Sequence, residues 1–148
     1  MSEMLGNHYF LSRNYAKAID AFSKALGDNY PDNILKKLII CHITQGNISI
    51  AKEYFFRIIT KDPYIIINTN ITDEDCPCPE IISYFEKNFY PATSLDDLTS
   101  LGILWLYCDM NKSIDYFNRA NQLYPKDSFT YNSLNILNQI NLKKRINI

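Results

Sequence analysis

One spaced set of residues constrains this chain more than any other. Leu5, Gly6, Tyr9, Tyr15, Ala18, Phe22, Ala25 and Pro31 follow one another at helical intervals. Leu5 and Tyr9 stand four apart, on one face of a first helix. Ala18, Phe22 and Ala25 stand four and three apart, on one face of a second. Gly6 and Ala18 are small enough to let two helix backbones approach closely, and Phe22 fills the space beside them. Ser12-Arg13-Asn14 is the turn between the two helices. Pro31 ends the second helix or opens the next, because it has no amide hydrogen to donate inside one. The stretch therefore predicts a helical hairpin.

The frame returns along the chain. After Pro31 and Asp32, Leu35, Leu38 and His42 take the inward places of another first helix. Gln45-Gly46-Asn47 is its turn, with Gly46 suited to a left-handed conformation. Ala51, Phe55 and Ile58 repeat the small-aromatic set, and Pro63 closes the unit. Ala18 to Ala51 is 33 residues and Pro31 to Pro63 is 32. Leu98, Leu101, Gly102 and Trp105 restore the frame later, opened by Ser94 with Asp97 three residues on, a loose capping box. Ser113, Phe117 and Ala120 follow across a turn one residue short, and Tyr124-Pro125 closes that unit. Tyr131 and Leu134 carry the frame into a last helix, about 127 to 140.

The order and spacing of these residues resemble the tetratricopeptide repeat family, whose two-helix unit recurs about every 34 residues. The expected fold is all-α: a helical-hairpin solenoid of three to four repeats with a C-terminal capping helix. One domain is expected over 1–142, with repeats at about 2–30, 31–63, 64–93 and 94–125, a cap over 126–141, and a basic tail over 142–148. The repeat over 64–93 is degenerate. Tyr64 to Ile71 is rich in isoleucine and suits a helix or a strand, and the context favours a helix. Pro77 and Pro79 forbid a regular helix through the acidic stretch 72–80, which reads as an extended loop. A helix from Pro79 to about Tyr90 follows, with Ile81, Ile82, Phe85 and Phe89 on its apolar face.

Composition narrows the function classes. The 148 residues carry a net charge of −1, with a sequence pI near 6.1. This balance does not favour nucleic acid or an anionic membrane. The N-terminal residues lack the basic start and apolar run of a signal peptide, and no apolar run approaches the length of a membrane span. A soluble, cytoplasmic protein is expected, with its four cysteines as free thiols.

No residue pattern points to catalysis. There is no glycine-rich phosphate loop, nucleophile elbow or His-x-x-x-His pair. Cys76 and Cys78 supply two thiols to a zinc site that needs four ligands, so no metal or cofactor is expected. The run Asp73-Glu74-Asp75 lacks calcium-loop spacing. His42 reads as a packed core histidine rather than a base. Lys143-Lys144-Arg145 reads as a solvated tail.

The resemblance implies a peptide or partner protein held in a concave groove lined by the first helix of each pair, without catalysis. The residues so placed are Asn7, Phe10, Asn33, Lys36, Ile40, Ile43, Thr99, Ile103, Leu106, Asn132 and Ile136. Leu5, Leu38, Leu101 and Leu134 then fall to the core, leaving Ile40, Ile103 and Ile136 as an exposed apolar row. The family members that grip carboxylate tails of chaperones use a Lys, Asn and Arg clamp. Asn7 matches its first Asn, but Glu3 and Lys37 stand at two other clamp places, which argues against that ligand. The alternative is an accessory domain of a larger enzyme or assembly, or self-association into a homo-oligomer.

Overall fold

The computed structural model describes residues 2–70 and 80–146, and every regular element among them is a helix. In chain order these are α1 (Ser2–Leu11), α2 (Tyr15–Leu26), α3 (Asp32–Thr44), α4 (Ile48–Lys61), α5 (Tyr64–Ile67), α6 (Glu80–Asn88), α7 (Leu95–Leu106), α8 (Met110–Leu123) and α9 (Ser128–Ile146). They fall into two compact units, Met1–Phe55 and Phe56–Ile148, with α4 running across the division.

In the first unit α1 packs along α2, and α2 against α3. The close approach of α1 and α2 depends on Gly6. A Cβ at that position would stand 2.5 Å from two ring carbons of Phe22, which is itself fully buried. Helix α1 turns into α2 through a left-handed residue, Arg13, at φ 63°. The Asn14 amide then donates to the Tyr9 carbonyl at 2.8 Å, which satisfies an orphan carbonyl at the end of α1. The α3–α4 turn repeats this bond thirty-three residues on. There Gly46 takes φ 80° and the Asn47 amide donates to the His42 carbonyl at 2.8 Å. The glycine has the conformation its place in the sequence implies. Pro31 caps the start of α3.

In the second unit α7 packs along α8, α8 against α9, and α6 against α7. Gly102 and Phe117 repeat the pairing of Gly6 and Phe22. A Cβ at Gly102 would come within 2.9 Å of the Phe117 ring. Ser113, in the small-residue place, donates its hydroxyl hydrogen to the Gly102 carbonyl at 2.6 Å. A buried polar group is thereby satisfied inside the helix contact. The shortened turn between α7 and α8 has no left-handed residue. Tyr107 stays right-handed at φ −67°, and the Asp109 amide donates to the Trp105 carbonyl. Asp109 opens α8 by accepting from the amides of Asn111 and Lys112. Ser94 caps α7 by accepting from the Asp97 amide at 3.0 Å. Asp127 accepts from both the amide and the hydroxyl of Thr130 at the head of α9.

Several sequence expectations change in detail. The isoleucine-rich stretch is helical, but only over the four residues of α5. Helix α6 ends at Asn88, before Tyr90. The C-terminal basic stretch is not a separate tail, because α9 continues through Lys143, Lys144 and Arg145. Lysine and arginine are good helix formers and are favoured near a helix C-terminus. Leu5 is 46% exposed rather than core, and Gly6 and Phe10 face the packing instead. No described helix is long and apolar enough to cross a membrane.

Candidate functional site

The groove expected on the first helices does not form as an apolar strip. Phe10, Ile40, Ile43, Thr99, Ile103 and Leu106 are buried, with Ile40 and Ile103 at 0% exposure. Asn7, Lys36 and Ile136 are half-buried, and Asn33 and Asn132 are exposed. The physical reason lies in α3 and α7. Both are apolar over almost their whole circumference, with buried residues at 38 to 43 and at 98 to 104. Over those stretches the helices are enclosed, so Ile40 and Ile103 have no solvent to face. In the first unit Asn7 is bound by its neighbour on α3. Lys37 donates to Asn7 Oδ1 at 2.7 Å and lies over the Phe10 ring, 5.9 Å from its centroid.

Polar and aromatic chemistry converges instead in the second unit, where α6, α7 and α8 enclose a cleft of about 620 Å3. Helix α8 supplies Lys112, Asp115, Tyr116 and Arg119. The intervals of four and three between Lys112, Tyr116 and Arg119 put them on one face. Trp105 comes from the last turn of α7 and Glu86 from α6. The Glu86 carboxylate joins the three helices. Its Oε2 accepts from the Tyr116 hydroxyl at 2.6 Å and from the Trp105 indole at 3.3 Å. Burial, with the bond to Glu86, pushes the Tyr116 phenol up to about 12, so it keeps its proton and remains the donor.

The two cations of this cleft are held by aromatic faces. The Lys112 ammonium sits over the Trp105 ring, 4.3 Å from its centroid. The Arg119 guanidinium sits over Tyr116 at 5.1 Å, and its Nη2 donates to the Ala92 carbonyl at 3.1 Å. A ring face or a neutral carbonyl positions a cation without cancelling its charge. Glu86 likewise keeps its charge, since both of its donors are neutral and both bonds fall on Oε2. The arrangement suits recognition of charged groups. No group of three or more metal-ligating side chains occurs among the described residues.

His42 is buried as a core residue. Its Nδ1 lies 3.3 Å from Nδ2 of the Asn47 side chain, and its ring meets Tyr54 edge to face at 5.7 Å. Burial lowers its pKa. Cys41 is a buried free thiol, pushed up to about 12 by desolvation. Cys108 departs from expectation: it is disulfide-bonded. It stands half-buried on the α7–α8 turn, not inside a core helix. Disulfides are rare in a reducing cytoplasm, so Cys108 does not fit the expectation of four free thiols in that setting. The readings of the acidic stretch and of Cys76 and Cys78 lie outside the described residues.

None of the seven residues lining the cleft, Asn118 included, was among the expected site residues. The face formed by Lys112, Tyr116 and Arg119 is legible in the spacing of α8. Glu86 gives no local signal, because its two partners lie 19 and 30 residues away. No protein-family model matches the chain, and no curated protein or solved structure matches it either.

Proposed function

We propose that the chain is a tetratricopeptide-type helical solenoid that holds a peptide or partner protein and performs no catalysis. The observation that carries this reading is the repeated helix pairing. Gly6 under Phe22 and Gly102 under Phe117 are the same small-against-aromatic contact at the same place in two hairpins. The matching left-handed turns at Arg13 and Gly46 support a repeated unit. Proteins built of stacked helical pairs expose long surfaces whose use is to bind other chains. The apolar row at Ile40 and Ile103 is not that surface, being buried. The α6–α8 cleft is the better place for a partner to dock.

The test is reconstitution. A protein that co-purifies with the chain from its own cells is made separately and titrated against it. A saturable one-to-one complex of micromolar affinity or better supports the reading. A chain that forms no complex with any co-purifying protein in purified form overturns it.

A further inference from the structure

We infer that α9 pairs with α9 of a second copy of this chain, antiparallel about a two-fold axis, through a stripe of Tyr131, Asn135, Asn138 and Leu142. Such pairing needs no other protein and does not rest on the partner-binding reading above. The intervals of four, three and four place the four residues on one face of the helix. All four are exposed, Tyr131 at 53% and Leu142 at 58%. Asn135 and Asn138 stand thirty-three residues after Gly102 and Trp105, so the stripe answers to the face on which α7 meets α8. In α7 that face is covered, and in α9 it is open. Charge separates it from an ordinary solvated face. From Ser128 to Leu142 the helix holds no charged residue, although 21% of the chain is charged. The neighbouring α8 exposes Lys112, Asp115 and Arg119. Depletion of charge distinguishes the centre of an interface from the rest of a protein surface.

The order of the residues selects a second copy as the occupant. A two-fold axis midway between Asn135 and Asn138 sets Tyr131 opposite the partner's Leu142 and Asn135 opposite the partner's Asn138. Each contact then occurs twice, as an isologous interface requires. An amide carries both donors and an acceptor, so the facing asparagines satisfy each other. The next register that keeps the stripes together, seven residues away, sets Asn135 against Tyr131 or Asn138 against Leu142. The amide pair therefore fixes the register. Beside a two-fold axis a charged residue would meet its own copy and repel it, and none stands there. At the ends, the exposed Lys143 comes within about one helical turn of the partner's Asp127, its opposite in charge. Fifteen residues span about 22 Å, which puts the contact at the small end of specific interfaces. The dimer is accordingly concentration-dependent, with a Kd in the micromolar rather than the nanomolar range.

Sedimentation velocity between about 1 μM and about 1 mM measures the association. A reversible monomer–dimer equilibrium is expected. Leu142→Glu should weaken it at least about tenfold, because it sets a carboxylate against the partner's Tyr131. Adding Tyr131→Lys to that variant should restore most of the association, since positions 131 and 142 meet only across the axis. Within one copy they stand eleven residues, or about 16 Å, apart along the helix and do not pair. Leu11→Glu, which makes the same kind of change at an exposed residue of α1, should leave the equilibrium as it was. Circular dichroism checks that each variant keeps its helices. If Leu142→Glu does not, Asn138→Lys, nearer the axis, decides by the same sedimentation readout and should also weaken the dimer at least about tenfold. A chain that stays monomeric at about 1 mM overturns the inference. So does a dimer that survives the change at 142, one lost on Leu11→Glu, or one that the charge swap fails to restore.

Discussion

At the scale of single residues, two positions carry energy that a contact diagram would miss. Arg13 holds φ 63° in a turn where the equivalent residue, thirty-three positions on, is a glycine. A residue with a Cβ is strained in this region by about 1–2 kcal/mol, and glycine is not. Glycine also costs more entropy on folding, so Arg13→Gly should stabilise the protein by about 0.5–1 kcal/mol. Urea denaturation checks this, and lower stability would mean that contacts of the arginine side chain outweigh its strain. His42 carries a pH dependence. Burial lowers its pKa below the ordinary value, so the unfolded chain binds the proton first as pH falls. The contribution is complete above about pH 6.5 and declines as pH drops through and below that value. His42→Phe should retain the edge-to-face contact with Tyr54 and flatten the stability profile below about pH 6.5. An unchanged slope would assign the acid sensitivity to another group.

At the scale of elements, the hairpin is the unit that the sequence specifies best. Gly6, Ala18 and Phe22 announce a close helix pair because two small residues and one large one have a single economical packing. Ala18 and Phe22 are both at 0% exposure. The contact can be tested through its steric limit. Gly6→Ala gains about 1 kcal/mol of helix propensity but drives a methyl group into the Phe22 ring, at a cost of about 1–3 kcal/mol. A net loss is expected, and Phe22→Leu should reduce the penalty of the second change. The coupling in a double-mutant cycle should exceed about 0.5 kcal/mol. Additive effects would show that the helices separate to accommodate the methyl group. The hairpin was legible because its signal is local. The cleft was not, because Glu86 acquires its meaning only when α6 lies against α7 and α8. Spacing along one helix does not record that neighbour. The end of α9 was misread for another reason: a cluster of basic residues suits a solvated tail and a helix terminus equally well.

At the scale of the whole molecule, the division between core and surface decides where a partner can bind. A regular stack with leucines on its inner face would leave Ile40 and Ile103 to the groove. Instead both isoleucines are fully buried, along with Leu38 and Leu101 beside them in sequence. Helices α3 and α7 are too apolar for one face to be core and the opposite face solvent. Ile40→Asp and Ile103→Asp should therefore each place an unpaired carboxylate in an apolar interior, at a cost of at least about 3 kcal/mol. A domain whose total stability is about 5–15 kcal/mol would lose at least about 6 °C of melting temperature, or its cooperative transition altogether. Asn33→Asp and Asn132→Asp, at exposed positions of the same expected groove, should stay within about 0.5 kcal/mol of the parent chain. Thermal unfolding followed by circular dichroism separates the outcomes. If the isoleucine variants melt within a few degrees of the parent, the row faces solvent and the groove on the first helices is the binding surface after all. If they unfold and the asparagine variants do not, binding must be sought on surfaces such as the α6–α8 cleft, where the charged and aromatic side chains already stand at the edge of solvent.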